Sequence, residues 1–512
     1  MKELHLLTAS AAELQALLRS GDITSVQLVK ACLNQIEKYD RSGPTLRAIV
    51  STPPLASLLS VADGLDKERE AGKVRGPLHG IPIIVKDSIN TDPSLGMPTT
   101  LGSYAFEKSR PKSNAVVVET LLQKGLIVLG KASLTESGNF KGDNITSGWS
   151  ALNGQTQSAY IQGGVKHKEM RLGHTAPGGS SSGSAVGVSA GYSPISVGTE
   201  ADGSLCTPAS RAALYGMKPT VGSTPMSGIF VVSTTFDTVG AMVKSVDDLA
   251  TLIEYVQENA PGSSKARLDY RAVFQQDWSG LRLGFVDPDK WWLPPGLVAP
   301  IEEVNAQIKS SYETAMKKIQ SSGGEVLYPV ELVHPKENGI GKAMDIIFDY
   351  EPRGVVARYL ETRDNPSILT LDDIANFNIQ HADLELPADY PNQNAILDAM
   401  NHNYTPADYE EAKATLQKEA LQNGVQKIME ANKLDAIFGP TDGPLASISA
   451  AMGGPIASMP IGLLKLHGRP FGLSAITLPK HDSTLFKIMS AWEATFPKRT
   501  LPPLLLKQDT DL

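Results

Sequence analysis

Apolar and polar positions along this chain change period repeatedly. Leu28, Val29, Cys32, Leu33, Ile36 and Tyr39 recur at the three-and-four spacing of a single helix face. Thr24 with Gln27 forms a capping box at its start, and Ser10 with Glu13 forms another before it. A helix is predicted across Leu55–Ala71, after Pro53-Pro54. Gly76-Pro77 then breaks the chain ahead of Ile81-Pro82-Ile83-Ile84-Val85, an unbroken apolar run that reads as a buried strand ending at Lys86-Asp87. Asn114–Lys124 reads as a helix and Leu126–Leu129 as a strand. Further on, a capped helix is predicted at Ser245–Gln257 and a strand at Leu281–Val286. Helical sequence returns at Pro300–Gln320, Ile340–Leu360 and Ala407–Ala431. Asp435–Gly439, Ile456–Ile461 and Phe471–Thr477 are late strands, while Thr362–Asn403 is expected to form irregular surface or a cap. The alternation implies an α/β fold. With no internal repeat and no linker, residues 1–512 are expected to form one large domain, with 335–432 as a helical insertion or cap.

Between Gly178 and Thr220 the chain carries two clusters of small residues, Gly178–Ser184 and Ala201–Ser204, separated by apolar runs. A flexible Ser/Gly linker would not contain Ala185-Val186-Gly187-Val188 or Ile195-Ser196-Val197. The clusters read instead as two tight loops held in place by a buried helix and a buried strand. Such loops present hydroxyls and bare N–H groups to a ligand.

Composition narrows the function. Of 512 residues, 41% are hydrophobic and 20% charged, as in a soluble globular protein. A net charge of −8 argues against nucleic acid as a partner. Two cysteines, Cys32 and Cys206, make neither a disulfide framework nor a metal site. The N-terminal stretch lacks a long apolar core, the chain ends in Thr-Asp-Leu rather than a peroxisomal tripeptide, and no run approaches the ~18 apolar residues of a membrane helix. Cytoplasmic residence without membrane attachment is the expectation.

Three chemical readings compete. Lys86, at the end of an apolar strand, either pairs with a neighbour such as Asp87 or is desolvated enough to act as a base near neutral pH. Gly179-Ser180-Ser181-Ser182-Gly183 satisfies the G-x-S-x-G elbow with Ser181 at its centre, and His79-Gly80 resembles an oxyanion loop. The preceding Arg171–Pro177 makes a poor strand, however, and His79, His174 and His402 show no spacing that singles out a base. His167 and His174 lack a carboxylate partner for a metal, and no Gly-Lys-Ser/Thr follows the glycine-rich run as a phosphate loop requires. The third reading joins both small-residue loops to Lys86: successive N–H groups before Ser204 converge on an oxyanion while Ser180 bridges Ser204 to the lysine.

The residues resemble the amidase signature family. Gly178–Ser184 gives G-G-S-S-x-G-S, Gly198–Ser204 gives G-T-E-x-D-G-S, and Gly216–Thr220 gives G-x-K-P-T. His79-Gly80-Ile81-Pro82 leading to Lys86, and Leu129-Gly130-Lys131 with Thr135-Glu136, are similar to earlier blocks of the family. A fainter likeness reaches Pro455–Pro460 and Phe471-Gly472-Leu473. The resemblance implies a mixed central sheet flanked by helices, with residues 75–225 as the catalytic signature region. It implies Ser204 as nucleophile, Ser180 as a bridging serine with a cis peptide bond, Lys86 as base, and the N–H groups of Ala201, Asp202, Gly203 and Ser204 as an oxyanion hole. It implies hydrolysis of carboxamides through an acyl-enzyme without metal or organic cofactor, on a small-molecule or peptide amide, by a monomer or homodimer. Its acyl pocket is expected around 88–103, 139–149 and 340–403, where Tyr350, Tyr359 and Trp291-Trp292 serve as either pocket lining or core. Glu200 and Asp202 depart from the commoner family pattern toward the peptide-amidase and fungal branch, and Tyr160–Ala176 resembles an insertion. Two other functions carry the same signature: the glutamine-hydrolysing component of a tRNA-dependent amidotransferase, and a catalytically silent binding protein.

Overall fold

The structure, a computed structural model, describes residues 4–261, 268–364 and 367–506. The C-terminal Thr-Asp-Leu lies outside them. An eleven-stranded mixed sheet forms the spine. In chain order its strands are β1 (Ile49–Ser51), β2 (Pro82–Lys86), β3 (Ile127–Ala132), β4 (Ile195–Glu200), β5 (Tyr215–Lys218) and β6 (Thr238–Val243). They continue with β7 (Arg282–Phe285), β8 (Glu325–Leu327), β9 (Ala436–Pro440), β10 (Ile456–Leu463) and β11 (Pro470–Ile476). In space the order is β1-β3-β2-β4-β6-β5-β10-β11-β9-β7-β8. The pairs β2–β3, β2–β4, β7–β8 and β7–β9 are parallel, and the remaining neighbours antiparallel.

β2 shows why the sequence produces this sheet. Helices cover both faces, so every position from Pro82 to Lys86 is buried and polar alternation has no place. Ile81, Ile83, Ile84 and Val85 are all 0% exposed; each such side chain contributes about 1.5–3 kcal/mol by burial. Helix Ser182–Ser189 lies on this part of the sheet with all eight residues buried. A Cβ on Gly183 would stand 2.3 Å from Ala48 O, and one on Gly187 would stand 2.5 Å from Ile84 Cδ1. Those glycines are what let the helix approach.

Both predicted capping boxes form, at helices Ala11–Ser20 and Ser25–Tyr39. Two predictions change. The helix expected over Ile340–Leu360 is two helices, Ile340–Tyr350 and Pro352–Leu360, because Pro352 cannot continue the first and suits the opening of the second. Within Thr362–Asn403, expected as irregular surface or a cap, run helices Leu371–Gln380 and Asn394–Asn401. Leu371, Ile374 and Ala375 give the first a buried face, a short stripe that the surrounding Asn and Asp residues obscure in the sequence. Together with Val356 and Leu360 of helix Pro352–Leu360, they pack through Ile374 and Ile396 onto Leu101, Phe106, Phe140 and Phe230, on loops that follow β2, β3 and β5. Among the described residues, no helix is long and apolar enough to cross a membrane.

Candidate active site

The C-terminal ends of the parallel strands β2 and β4 open onto one place, the position where α/β sheets usually bind ligands. Lys86 is the last residue of β2 and is 0% exposed. Its Nζ donates to Ser180 Oγ at 2.8 Å, to Thr199 Oγ1 at 2.8 Å and to Thr199 O at 3.2 Å. Burial pushes the Lys86 ammonium from 10.5 down to about 7; Asp237 and Glu200 oppose the shift by favouring its charge. Asp87 is not its partner. Successive side chains of a strand face opposite ways, and Asp87 lies 3.8 Å from Lys131 while accepting from Thr100 N at 3.0 Å.

The five serines of the two loops separate by contact. Ser180, 2% exposed, follows a cis Gly179–Ser180 peptide bond, and its carbonyl accepts from Thr135 N at 3.0 Å. Ser181 Oγ donates to Thr199 O at 3.1 Å and accepts from Thr199 N at 3.3 Å, bracing the loop against β4. Ser182 Oγ donates to Gly178 O, and Ser184 Oγ to Val197 O. The serine elbow therefore loses its centre: Ser181 is fully buried in a structural brace. Its expected companion, His79, is held by Leu65 O at 2.9 Å and Arg75 N at 3.3 Å.

The second loop, which carries Ser204, reaches the first through its backbone, Ser181 N donating to Ser204 O at 3.1 Å. No hydrogen bond joins Ser204 Oγ to Ser180 or Lys86 among the described residues. Gly203 has φ +76°, a left-handed turn that glycine adopts without penalty. Buried Glu200 anchors the far side, its Oε2 accepting from Leu205 N at 2.6 Å and Cys206 N at 2.9 Å at the start of helix Cys206–Arg211. Among the described residues no acceptor takes the N–H groups of Asp202, Gly203 or Ser204. Ala201, Asp202 and Ser204 are half-buried, so this loop is reachable from solvent while Lys86 is not.

Asp202, the departure nearest the serine, has a partner of its own: Ser447 Oγ donates to its Oδ2 at 2.8 Å. Burial raises its pKa, Ser447 opposes this, Glu200 adds to the rise and Arg171 opposes it. The carboxyl is thus easier to neutralise than a free one. Gly216-x-Lys218-Pro219-Thr220 is structural: Lys218 Nζ donates to Gly454 O, and Thr220 binds Asp482 through both N and Oγ1. The Tyr160–Ala176 segment is tied down by Arg211, which donates to Leu172 O, Gly173 O and Ala176 O.

The aromatic pocket candidates are mostly engaged elsewhere. Tyr359 is buried, with its hydroxyl on Asn90 and Arg363. Trp291 is buried in a second apolar cluster, and Tyr350 stacks on Tyr409. Sequence reading misses Thr199, which shares Lys86 with Ser180, and Asp237, which favours its charge. Thr199 lies inside the G-T-E motif, a signal that could have found it; Asp237 carries no local signal.

A family model described as Amidase matches residues 27–453. The chain belongs to the amidase family. The solved native peptide amidase from Stenotrophomonas maltophilia superposes on this amidase with TM-score 0.84 and 31% identity, covering 97% of this chain and 98% of that one. Mandelamide hydrolase of Pseudomonas putida is 29% identical, over 97% of this chain and 93% of its own. A glutamyl-tRNA(Gln) amidotransferase component of Chloroflexus aurantiacus is 35% identical, but over 340 residues, 66% of this chain and 62% of its own. The amidase signature resemblance and the expected single mixed sheet flanked by helices are both borne out. The activity class follows: this amidase is a hydrolase acting on amide C–N bonds.

Proposed function

We propose that this amidase cleaves carboxamides through an acyl-enzyme on Ser204, with Ser180 and Lys86 as its proton relay. Neutral Lys86 takes the Ser180 proton as Ser180 takes that of Ser204, and the Ser204 Oγ attacks the amide carbon. The N–H groups of Ala201, Asp202, Gly203 and Ser204 hold the oxyanion. The relay then runs backwards: protonated Lys86 reprotonates Ser180, which protonates the leaving ammonia or amine as the C–N bond breaks. Water repeats the cycle on the ester, releasing the acid and restoring Ser204. The observation that carries this reading is the 2.8 Å contact from Lys86 Nζ to Ser180 Oγ, made by an amine whose burial brings it to about 7. A base near neutrality is what such a relay requires.

The substrate is a small-molecule or peptide amide, handled by a stand-alone enzyme. The names of the two full-length relatives point to C-terminally amidated peptides and to small aryl-substituted amides as the first classes to assay. The amidotransferase reading is favoured less, because an amidotransferase component that matches over nearly the whole of both chains is 27% identical, against 31% for the peptide amidase and 29% for mandelamide hydrolase. A fluorophosphonate probe should label the parent protein and leave Ser204→Ala unlabelled, with amide turnover lost in parallel. Labelling or turnover retained by folded Ser204→Ala would remove Ser204 as nucleophile.

A further inference from the structure

On the far side of helix Cys206–Arg211 from Ser204, two arginines converge on one aspartate. Arg211, the last residue of that helix, gives Nε and Nη2 to Asp442 Oδ1 at 3.1 and 3.0 Å. It also gives Nη2 to Leu172 O at 2.9 Å, and Nη1 to Gly173 O at 2.8 Å and Ala176 O at 3.1 Å. All five guanidinium N–H groups are used. Arg469, on the turn between β10 and β11, gives Nη2 to Asp442 Oδ2 at 2.7 Å. Among the described residues its Nε and Nη1 have no partner, although the residue is 1% exposed. A buried guanidinium with one of its five N–H groups matched is costly in a way that Arg211 is not.

Two histidines complete the cluster, their rings 5.7 Å apart. His467 Nδ1 accepts from Arg469 N at 3.3 Å, which assigns the ring proton to Nε2. That Nε2 is buried and has no partner among the described residues. His174 Nε2 lies 2.7 Å from Ala299 O, so its proton sits there and its buried Nδ1 is bare. Charge does not balance. Arg211 and Arg469 bring two positive charges against one negative charge from Asp442, while Lys166 and Glu169, which also act on the cluster, offset each other. Burial, then Arg469 and His174, push His467 down to about 4, so it is a neutral donor rather than a third cation.

We infer that this cluster is a binding site for a small monovalent anion of the halide class, held by the free N–H groups of Arg469 and by Nε2–H of His467. Water would satisfy the hydrogen bonds but leave the net positive charge uncompensated, which an anion cancels. The bare Nδ1 of His174 repels direct contact with an anion and suits a bridging water, which keeps the occupant small. The bound anion would fasten the β10–β11 turn to the 172–176 segment, which leads directly into Gly178–Ser180. The site stands apart from the proposed relay and does not depend on it.

The test is thermal melting of the whole protein as sodium bromide or chloride replaces sodium gluconate at fixed ionic strength. The expected result is a saturable rise in Tm following mass action. The half-effect concentration should rise at least tenfold in His467→Phe, and the saturable component should vanish in Arg469→Gln. Crystals grown in bromide should show an anomalous peak beside Arg469. A Tm that ignores the identity of the anion, an unchanged response in folded His467→Phe, or bromide crystals with only water beside Arg469 would each overturn the site. The wild-type titration and the bromide crystal decide the matter even where a variant fails to fold.

Discussion

Lys86→Met should abolish turnover and stabilise the protein at the same time. The lysine is fully buried, and burial moves its pKa from 10.5 to about 7. At ~1.36 kcal/mol per unit, that displacement is a cost of about 5 kcal/mol to the folded state. The sign follows from proton binding: below pH 7 the amine is charged in both states and the whole cost is present. Between pH 7 and 10.5 the unfolded chain holds a proton that the folded one has released, so wild-type stability climbs; above 10.5 the cost is gone. Methionine removes the charge but also the contacts to Ser180 Oγ, Thr199 Oγ1 and Thr199 O, each worth about 1 kcal/mol. The balance near pH 6 favours the variant by about 1–3 kcal/mol. For a chain of this length the unfolding entropy is on the order of 1 kcal/mol per kelvin, so Tm should rise by ~1–3 °C. Turnover should fall at least ~10³-fold, as for loss of a general base. Melting from pH 6 to 10, paired with amide turnover, tests both halves. A variant destabilised at pH 6, with the wild-type slope intact above pH 7, would show that Lys86 is not desolvated. Turnover within tenfold of the parent would place the base elsewhere.

The other expectations separate roles that the sequence leaves mixed. Ser180→Ala should lose ~10³-fold or more in kcat, whereas Ser181→Ala should keep turnover within about tenfold and lose ~1–2 kcal/mol of stability with its Thr199 brace; equal kcat in the two variants would undo the assignment. Wild-type kcat/KM should rise with pH through about 7 as Lys86 releases its proton, and a profile flat from pH 6 to 8 contradicts the relay. Glu136, pushed up to about 8 by burial and then by Glu385 against the pull of Lys141, holds a proton in the folded state that the unfolded chain gives up near 4.5. Its contribution to stability is therefore lost as pH rises from 4.5 to 8, and Glu136→Gln should flatten that decline; parallel slopes for the two proteins would refute it. Arg363→Met strips donors from Asn90 Oδ1, Ser109 Oγ and Thr99 O, costing about 3 kcal/mol. Hydrogen exchange in helices Pro352–Leu360, Leu371–Gln380 and Asn394–Asn401 should then quicken, and unchanged exchange would show that Arg363 does not anchor them.

Much of the fold is legible in the sequence because the elements carrying it obey local rules. Capping boxes at Ser10 and Thr24 and the apolar run before Lys86 are written in consecutive residues, and each forms where expected. β6 gives no such signal, since Thr238–Val243 is six buried residues with no alternation and no flanking turn signature. Its identity depends on antiparallel pairing with β4 and β5, a relation between distant segments. Helices Leu371–Gln380 and Asn394–Asn401 are hard to place within the 335–432 region for the opposite reason: their apolar stripe is short, and polar composition outweighs it. In the candidate site, residue types are legible and partners are not. Five serines look alike in sequence, and only the approach of β4 separates Ser181, which braces Thr199, from Ser180, which meets Lys86.

That division has a physical basis in the sheet. Parallel pairing of β2 with β4, with Val85 opposite Val197, sets Lys86 one residue beyond the pair and level with the strand end that carries Thr199 and Glu200. The lysine is therefore buried by the same contacts that define the sheet, and a flexible side chain acquires a fixed neighbour without a dedicated pocket. A histidine has its ordinary pKa near ~6.5 and needs only orientation to serve as a base. A lysine needs desolvation as well, and β2 supplies it because both of its faces are covered. Glu200 and Asp237 limit the shift by favouring the charged form, which keeps the amine near neutrality rather than far below it. Substitutions that thin the cover over β2, such as Ile84→Ala, should therefore raise the Lys86 pKa and move the kcat/KM profile to higher pH, not merely lower stability.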